Sequence, residues 1–413
     1  MRSFKVMVAG ALAASVLTGC FKSNSEADTD SGIKAQDYVA VGNSLTAGFE
    51  SGGLRKDWQM VSYPVLLAKA MGIEDFQIPA IDSPGVGRAK IAGLKTEPLY
   101  IDSGAVTTKP LANQDITPLL SNRALNRPYN NLGVPGMTTL DFLKAYDSSS
   151  SQAGNNGYFN IVLRGGLTNN SPMVDQAIAL KPKLMTLWIG NNDILGGIID
   201  GTVIEGKTVT PVAYYTVLMD SAFKLLMTKT EAKIFVANIP SITTIPYVTT
   251  IPPVVINPAT STPVLDTAGH MIPLLTVEAN VKYVLLPALA YMKKGVGIPT
   301  ALGGAGTKLD TNYTLTVEEA ATAEKLTDGY NAYLKTKCEA NAARLTLVDV
   351  NALLGKLTKG DLAPLTAKFP LLDPTNSAFS LDGIHPNAKG YKEVAKLFLG
   401  VINAKLTTTY KID

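Results

Sequence analysis

Five short runs of apolar, largely β-branched residues punctuate the chain. They are Tyr38–Val41, the stretch before Asn131 and Leu132, Leu184–Ile189, Lys233–Ala237 and Leu345–Val350. Runs this short, apolar on both parities and far apart in sequence, predict strands buried on both faces of a parallel sheet. Longer stretches with helical spacing lie between them. Tyr63–Met71 has Pro64 near its start and Gly72 at its stop, and Val212–Met227, Val317–Ala343 and Ala388–Ala404 follow the same period. Strands alternating with helices predict a doubly wound, three-layer α/β/α sandwich. Such sheets bind ligands beyond the carboxyl ends of their strands.

Two segments exceed what that fold requires. Residues 73–127 lack clear periodicity. Residues 241–315 are rich in Pro, Thr and Val, with an apolar helix expected around Val281–Met292. Long connections of this kind either carry function or are decoration, and a lid or an acyl-binding cap is one reading of the second.

The start of the chain has a different pattern. Arg2 and Lys5 precede a short apolar stretch, Val6–Val16, which ends in Leu17-Thr18-Gly19-Cys20. This is the layout of a secretory signal peptide, and it falls short of the ~20 apolar residues of a spanning helix. The Leu-Thr-Gly-Cys ending resembles the bacterial lipobox. That resemblance implies cleavage before Cys20 and a diacylglycerol on its thiol. Residues 1–19 are then a lipoprotein signal peptide, and 20–36 a polar, flexible tether. Phe21 after the cysteine favours the outer membrane over the inner. The chain is therefore expected in a bacterial cell envelope, exported and held to the membrane by its lipid.

Composition narrows the partners. Lys and Arg number 37 against 34 Asp and Glu, a net charge of +3. Loss of Arg2 and Lys5 with the signal peptide leaves it closer still to neutral. A balance so even argues against a nucleic-acid partner, which demands a basic face. Two cysteines and two histidines leave little for a disulfide framework or a metal site. No cofactor is expected.

The chemistry-bearing residues lie at the ends of predicted strands. Gly42-Asn43-Ser44-Leu45 follows the first, placing a hydroxyl at the carboxyl edge of the sheet. Taken alone, Ser44 reads equally well as a helix N-cap. Near the other end, Asp382-Gly383-Ile384-His385 places a carboxylate three residues before one of the two histidines. A serine hydroxyl attacks well only when a base takes its proton, and an imidazole oriented by a carboxylate suits that task. Taken alone, the pair also reads as a turn residue and a solvated histidine. Between them, Asn131–Thr138 carries Gly136, and Gly190-Asn191-Asn192-Asp193 offers a side-chain amide. Backbone N–H groups and an Asn amide are suitable donors to the oxyanion of acyl transfer.

These four blocks, in this order, resemble the SGNH (GDSL) hydrolase superfamily over residues 37–405, with the two long segments as insertions. The resemblance implies a flavodoxin-like fold with a five-stranded parallel sheet. It implies Ser44 as nucleophile, His385 as base and Asp382 as its orienting partner. It further implies an oxyanion hole from the Ser44 and Gly136 N–H groups and the Asn192 side chain. Asn43 departs from the family's usual Asp, and weaker hydrogen bonding in the nucleophile turn is expected from it. His270 is expected to be a surface or packing residue, and Cys338 a small core hydrophobe. The activity implied is carboxylic ester hydrolysis by a lipid-anchored esterase or lipase. The alternatives are an O-acetyl esterase acting on glycans, and a non-catalytic surface-binding lipoprotein on the same fold.

Overall fold

The computed structural model describes residues 37–89, 93–165 and 170–412. The signal peptide, Cys20 and the tether lie outside the described residues. Five strands form the central sheet: β1 Tyr38–Gly42, β2 Asn131–Gly133, β3 Leu184–Trp188, β4 Lys233–Ala237 and β5 Leu345–Val348. Their order across the sheet is β5-β4-β3-β1-β2, and every neighbouring pair is parallel. This is the flavodoxin-like doubly wound order, whose chain reversal falls between β1 and β3.

The principal helices are α1 Ser44–Ala47, α2 Tyr63–Ala70, α3 Thr139–Lys144, α4 Asn192–Ile199, α5 Val212–Lys229, α6 Val317–Ala340, α7 Val350–Lys359 and α8 Ala388–Leu406. Strand parity sorts them into two layers. Tyr38, Ala40, Leu184, Trp188 and Phe235 face α2 and α8, where they meet Tyr63, Leu67, Tyr391 and Phe398. Val39, Val41, Met185, Leu187 and Val236 face the other way, toward Phe142, Ile194, Phe223 and Leu326 of α3–α6. Burial of both faces explains why the strands read as continuous apolar runs.

Several boundaries differ from those the sequence predicts. The second strand is Asn131–Gly133 itself and not the stretch before it. Pro128 cannot donate to a ladder, and the Asn130 and Asn131 N–H groups turn to the Gln77 carbonyl instead. The fifth strand stops at Val348 because Asp349 caps α7, accepting from the Ala352 N–H. The Val281–Met292 segment is not one helix. Its β-branched start pairs as a strand, Val281–Val284, with Thr314–Thr316, and only a 3₁₀ turn, Leu286–Ala288, and a single α-helical turn, Leu289–Met292, follow. Much of the 241–315 segment packs on itself, around Ile251, Leu274, Val284 and Leu309. The aperiodic residues of 73–127 form small antiparallel pairings, among them the hairpin Tyr100–Asp102 with Ala105–Thr107. Among the described residues, no helix is long and apolar enough to cross a membrane.

Two glycines let α1 fold back on the sheet's carboxyl edge. A Cβ on Gly42 would lie 2.0 Å from Thr46 Oγ1, and one on Gly133 would lie 2.3 Å from the Ala47 nitrogen. Both positions are therefore closed to any side chain. Gly133→Ala is expected to destabilise the fold by about 1–3 kcal/mol through overpacking. A urea titration would read this as a lowered midpoint at unchanged slope, and an unchanged midpoint would contradict it.

Candidate active site

β1 delivers Ser44 to the carboxyl edge of the sheet, where it opens α1. The residue capping α1 is Asn43, not Ser44. Asn43 Oδ1 accepts from the Leu45 N–H at 3.0 Å, and its amide donates to Asn191 Oδ1 at 3.0 Å. The Ser44 hydroxyl is thereby left for other work. It lies 2.8 Å from His385 Nε2, although 341 residues separate the two in sequence. His385 Nδ1 lies 2.9 Å from Asp382 Oδ2. The His385 and Asp382 side chains are only 10% and 11% exposed, so water scarcely competes for these bonds.

Asp382 is held from several directions. Its Oδ2 also accepts from the Gly52 N–H at 2.9 Å. Its Oδ1 accepts from the Ile384 and His385 N–H groups at 2.9 and 2.8 Å, and from the Ser380 hydroxyl at 3.2 Å. Burial alone would raise this carboxyl. The opposing charge of His385 and these donors outweigh it, so Asp382 sits below its ordinary value and is ionised at neutral pH. An ionised carboxylate only accepts, so Nδ1 donates to Asp382, and in the neutral ring Nε2 is left to accept from the Ser44 hydroxyl. A hydroxyl so placed can give its proton to the ring as it attacks an electrophile.

The turn Phe49–Gly52 was not singled out from the sequence, yet it seats this pair. Ser51 N–H donates to Ser380 Oγ at 2.9 Å, and Leu381 N–H donates to Ser51 Oγ at 3.3 Å. The Phe49 ring lies 4.7 Å from the His385 ring, and the Phe49 carbonyl accepts from the Tyr391 hydroxyl at 2.8 Å. Glu50 sits in the same turn with one buried, unpartnered oxygen among the described residues. Burial, then Asp382 and Asp57, push its carboxyl up to about 8, against the pull of Arg55.

The remaining predicted donors converge on the same edge. Among the described residues, the backbone N–H groups of Ser44 and Gly136 have no hydrogen-bond partner. Gly136 has φ +80, and its loop is fastened to β1 by the Val134 N–H donating to the Gly42 carbonyl. Asn192 Nδ2 donates one hydrogen to the Met137 carbonyl at 2.9 Å, which leaves its second free. Asp193, given no role of its own in the sequence block, clamps the same loop: its Oδ2 accepts the N–H and hydroxyl of Thr139, both at 2.9 Å. Burial pushes the Asp193 carboxyl up to about 6 despite those bonds.

Ser44, His385, Asn191 and Asn192 line one apolar cavity; Gly136 is outside its wall. Of the 241–315 segment only Ile242 and Ile245 reach this cavity. The segment does support the site from behind, where the Tyr247 N–H donates to the Gly383 carbonyl at 2.8 Å. His270 lies on the surface of that segment, 81% exposed and 3.5 Å from Asp266. Cys338 is in the core, and burial pushes its thiol up to about 12. Among the described residues, no three His, Cys, Asp or Glu side chains are placed to hold a metal ion.

Solved structures similar to this chain include an acetyl xylan esterase, at 12% identity and TM-score 0.35, covering 90% of this chain and 100% of that one. An extracellular lipase from Streptomyces rimosus matches at 14% identity and TM-score 0.37, covering 89% and 99%. A GDSL-like lipase from Bacteroides thetaiotaomicron VPI-5482 matches at 14% and TM-score 0.28, covering 66% and 74%. Likenesses this distant say nothing about substrate. No curated protein sequence matches. The model of the family GDSL-like Lipase/Acylhydrolase matches residues 38–398, from β1 into α8, and so takes in all four sequence blocks: the chain belongs to the GDSL-like lipase/acylhydrolase family.

Proposed function

We propose that the protein is a serine hydrolase of carboxylic esters, with Ser44 as nucleophile, His385 as general base and acid, and Asp382 as the group that orients the ring. Family membership supports ester hydrolysis. The observation that carries the residue assignment is the unbroken chain Ser44 Oγ–His385 Nε2 and His385 Nδ1–Asp382 Oδ2, at 2.8 and 2.9 Å.

Ser44 Oγ attacks the ester carbonyl carbon while its proton passes to His385 Nε2. The carbonyl oxygen becomes an oxyanion facing the N–H groups of Ser44 and Gly136 and the free hydrogen of Asn192. The intermediate collapses, the C–O bond to the alcohol breaks, and His385 gives the alcohol its proton. Water then attacks the acyl-serine by the same route and releases the acid. A merely surface-binding protein has no use for a hydroxyl, an imidazole and a carboxylate in this order.

Ser44→Ala is expected to abolish p-nitrophenyl ester hydrolysis and labelling by a fluorophosphonate, with an unchanged circular dichroism spectrum. Turnover at the parent rate in that variant would refute the assignment. Asn192→Ala is expected to lower kcat by about 10²–10³, the usual cost of one oxyanion donor.

Glu50 yields a separate expectation about stability. Its folded value lies above its ordinary one, so its favourable contribution is complete at acid pH and is lost as pH rises through about 8. Glu50→Gln cannot ionise. Its urea midpoint should therefore gain on the parent at pH 9 more than at pH 5, and equal gains would contradict the buried carboxyl.

We also propose that Cys20 carries the lipid and holds the domain to the outer membrane of a bacterial envelope. Metabolic incorporation of an alkyne-tagged fatty acid should label the parent and not Cys20→Ala. Equal labelling of both would remove the anchor.

A further inference from the structure

We infer that the apolar cavity at Ser44 is a subsite for a linear fatty-acyl chain, so that the esters taken carry such a chain in preference to acetate. The inference rests on the hydrolase reading above and adds the class of acid.

The cavity is a narrow one of about 100 Å³, open at its mouth. One wall is α7. Val350, Leu353, Leu354 and Leu357 are spaced as one helical stripe, and all four line the cavity. Ala352, Lys356 and Lys359 take the opposite, exposed face. Leu362 and Leu365, in the segment after α7, continue the wall, and Phe379 joins it from the approach to the Asp–His loop.

Leu353, Leu357, Leu362 and Leu365 are only half-buried although they line an interior space. The surface the cavity presents is almost wholly apolar, and a hydrocarbon chain would cover it. Apart from the groups of the site itself, the hydrogen-bonding side chains of the lining are Trp188, whose buried indole N–H has no partner among the described residues, and Glu393, whose Oε1 is bound by Lys396 at 2.7 Å. Against the leucine wall the hydroxyls of an acetylated sugar would lose water without gaining partners, whereas a methylene chain loses nothing. The acyl carbon would sit between Ser44 Oγ and the Asn192 amide, both on the cavity wall, so the chain attached to it starts inside.

The test uses the purified protein and p-nitrophenyl acetate, butyrate and octanoate. The expected result is a rise in kcat/KM of up to about fourfold per added methylene. Leu357→Trp and Leu365→Trp, each filling the cavity from a different segment, should lower octanoate hydrolysis at least about tenfold more than acetate hydrolysis. Acetate cleaved as well as octanoate overturns the subsite, as does an equal loss on both substrates in both variants. A chain-length gain for octyl acetate over ethyl acetate, with none for octanoate over acetate, would assign the cavity to the alcohol and also overturns it. If no ester is cleaved and a fluorophosphonate leaves Ser44 unlabelled, the hydrolase reading falls and the subsite falls with it.

Discussion

The site depends on one junction, the seating of the loop Ser380–His385 on the turn Phe49–Gly52. The turn continues directly from the helix that Ser44 opens, so whatever fixes the turn fixes the histidine relative to the hydroxyl. The junction is reciprocal. Backbone N–H groups of the turn bond to Ser380 and Asp382, while a backbone N–H of the loop bonds back to Ser51. Hydrogen bonds to a charged partner contribute about 1.5–3 kcal/mol each. Several of them converge on one ionised carboxylate. Rotating His385 away from Ser44 while Nδ1 keeps its partner would require Asp382 to leave these donors.

The sheet supplies the rest of the alignment. Gly42 is in register with both Gly133 on β2 and Trp188 on β3, so three strands end at one level. The loops leaving those ends carry Ser44, Gly136 and Asn192. Parallel pairing puts all three on one edge because parallel strands share a carboxyl end. The clamp from Asp193 to Thr139 ties the second and third of these loops together. Fold and site are thus two consequences of one strand order.

That relation explains what could be read from the sequence. Three of the candidate residues, Ser44, Gly136 and Asn192, closely follow buried strands, and buried parallel strands announce themselves as apolar runs. These three could be marked out as candidates for that reason; Asp382 and His385, on the loop between α7 and α8, could be marked out only by their Asp-x-x-His spacing and family block. The supports were not. Ser51 meets Ser380, and Gly52 meets Asp382, across more than 300 residues, and nothing local in Glu50-Ser51-Gly52 marks it as more than a glycine turn. Helix α7 was hidden by its own start, since Val348-Asp349-Val350 continues the β-branched pattern of β5 until Asp349 caps the helix. The wall it builds beside Ser44 was hidden with it, and the acyl-binding role was looked for in the 241–315 segment instead.

Asn43 shows how a departure from a family pattern is absorbed. A carboxylate there would accept from the Leu45 N–H, and the amide oxygen already does so at 3.0 Å. Asn and Asp cap helices about equally well, so the turn loses little on that side. What the amide adds is a donor, used toward Asn191 Oδ1. Asn43 is fully buried, where an unpaired charge is expensive and a satisfied amide is not. The turn keeps the bond that the sequence leaves in question and gains a second one. The substitution exchanges a charge for a bond to the residue beside Asn192, joining the turn at Ser44 to the loop after β3 through neutral groups.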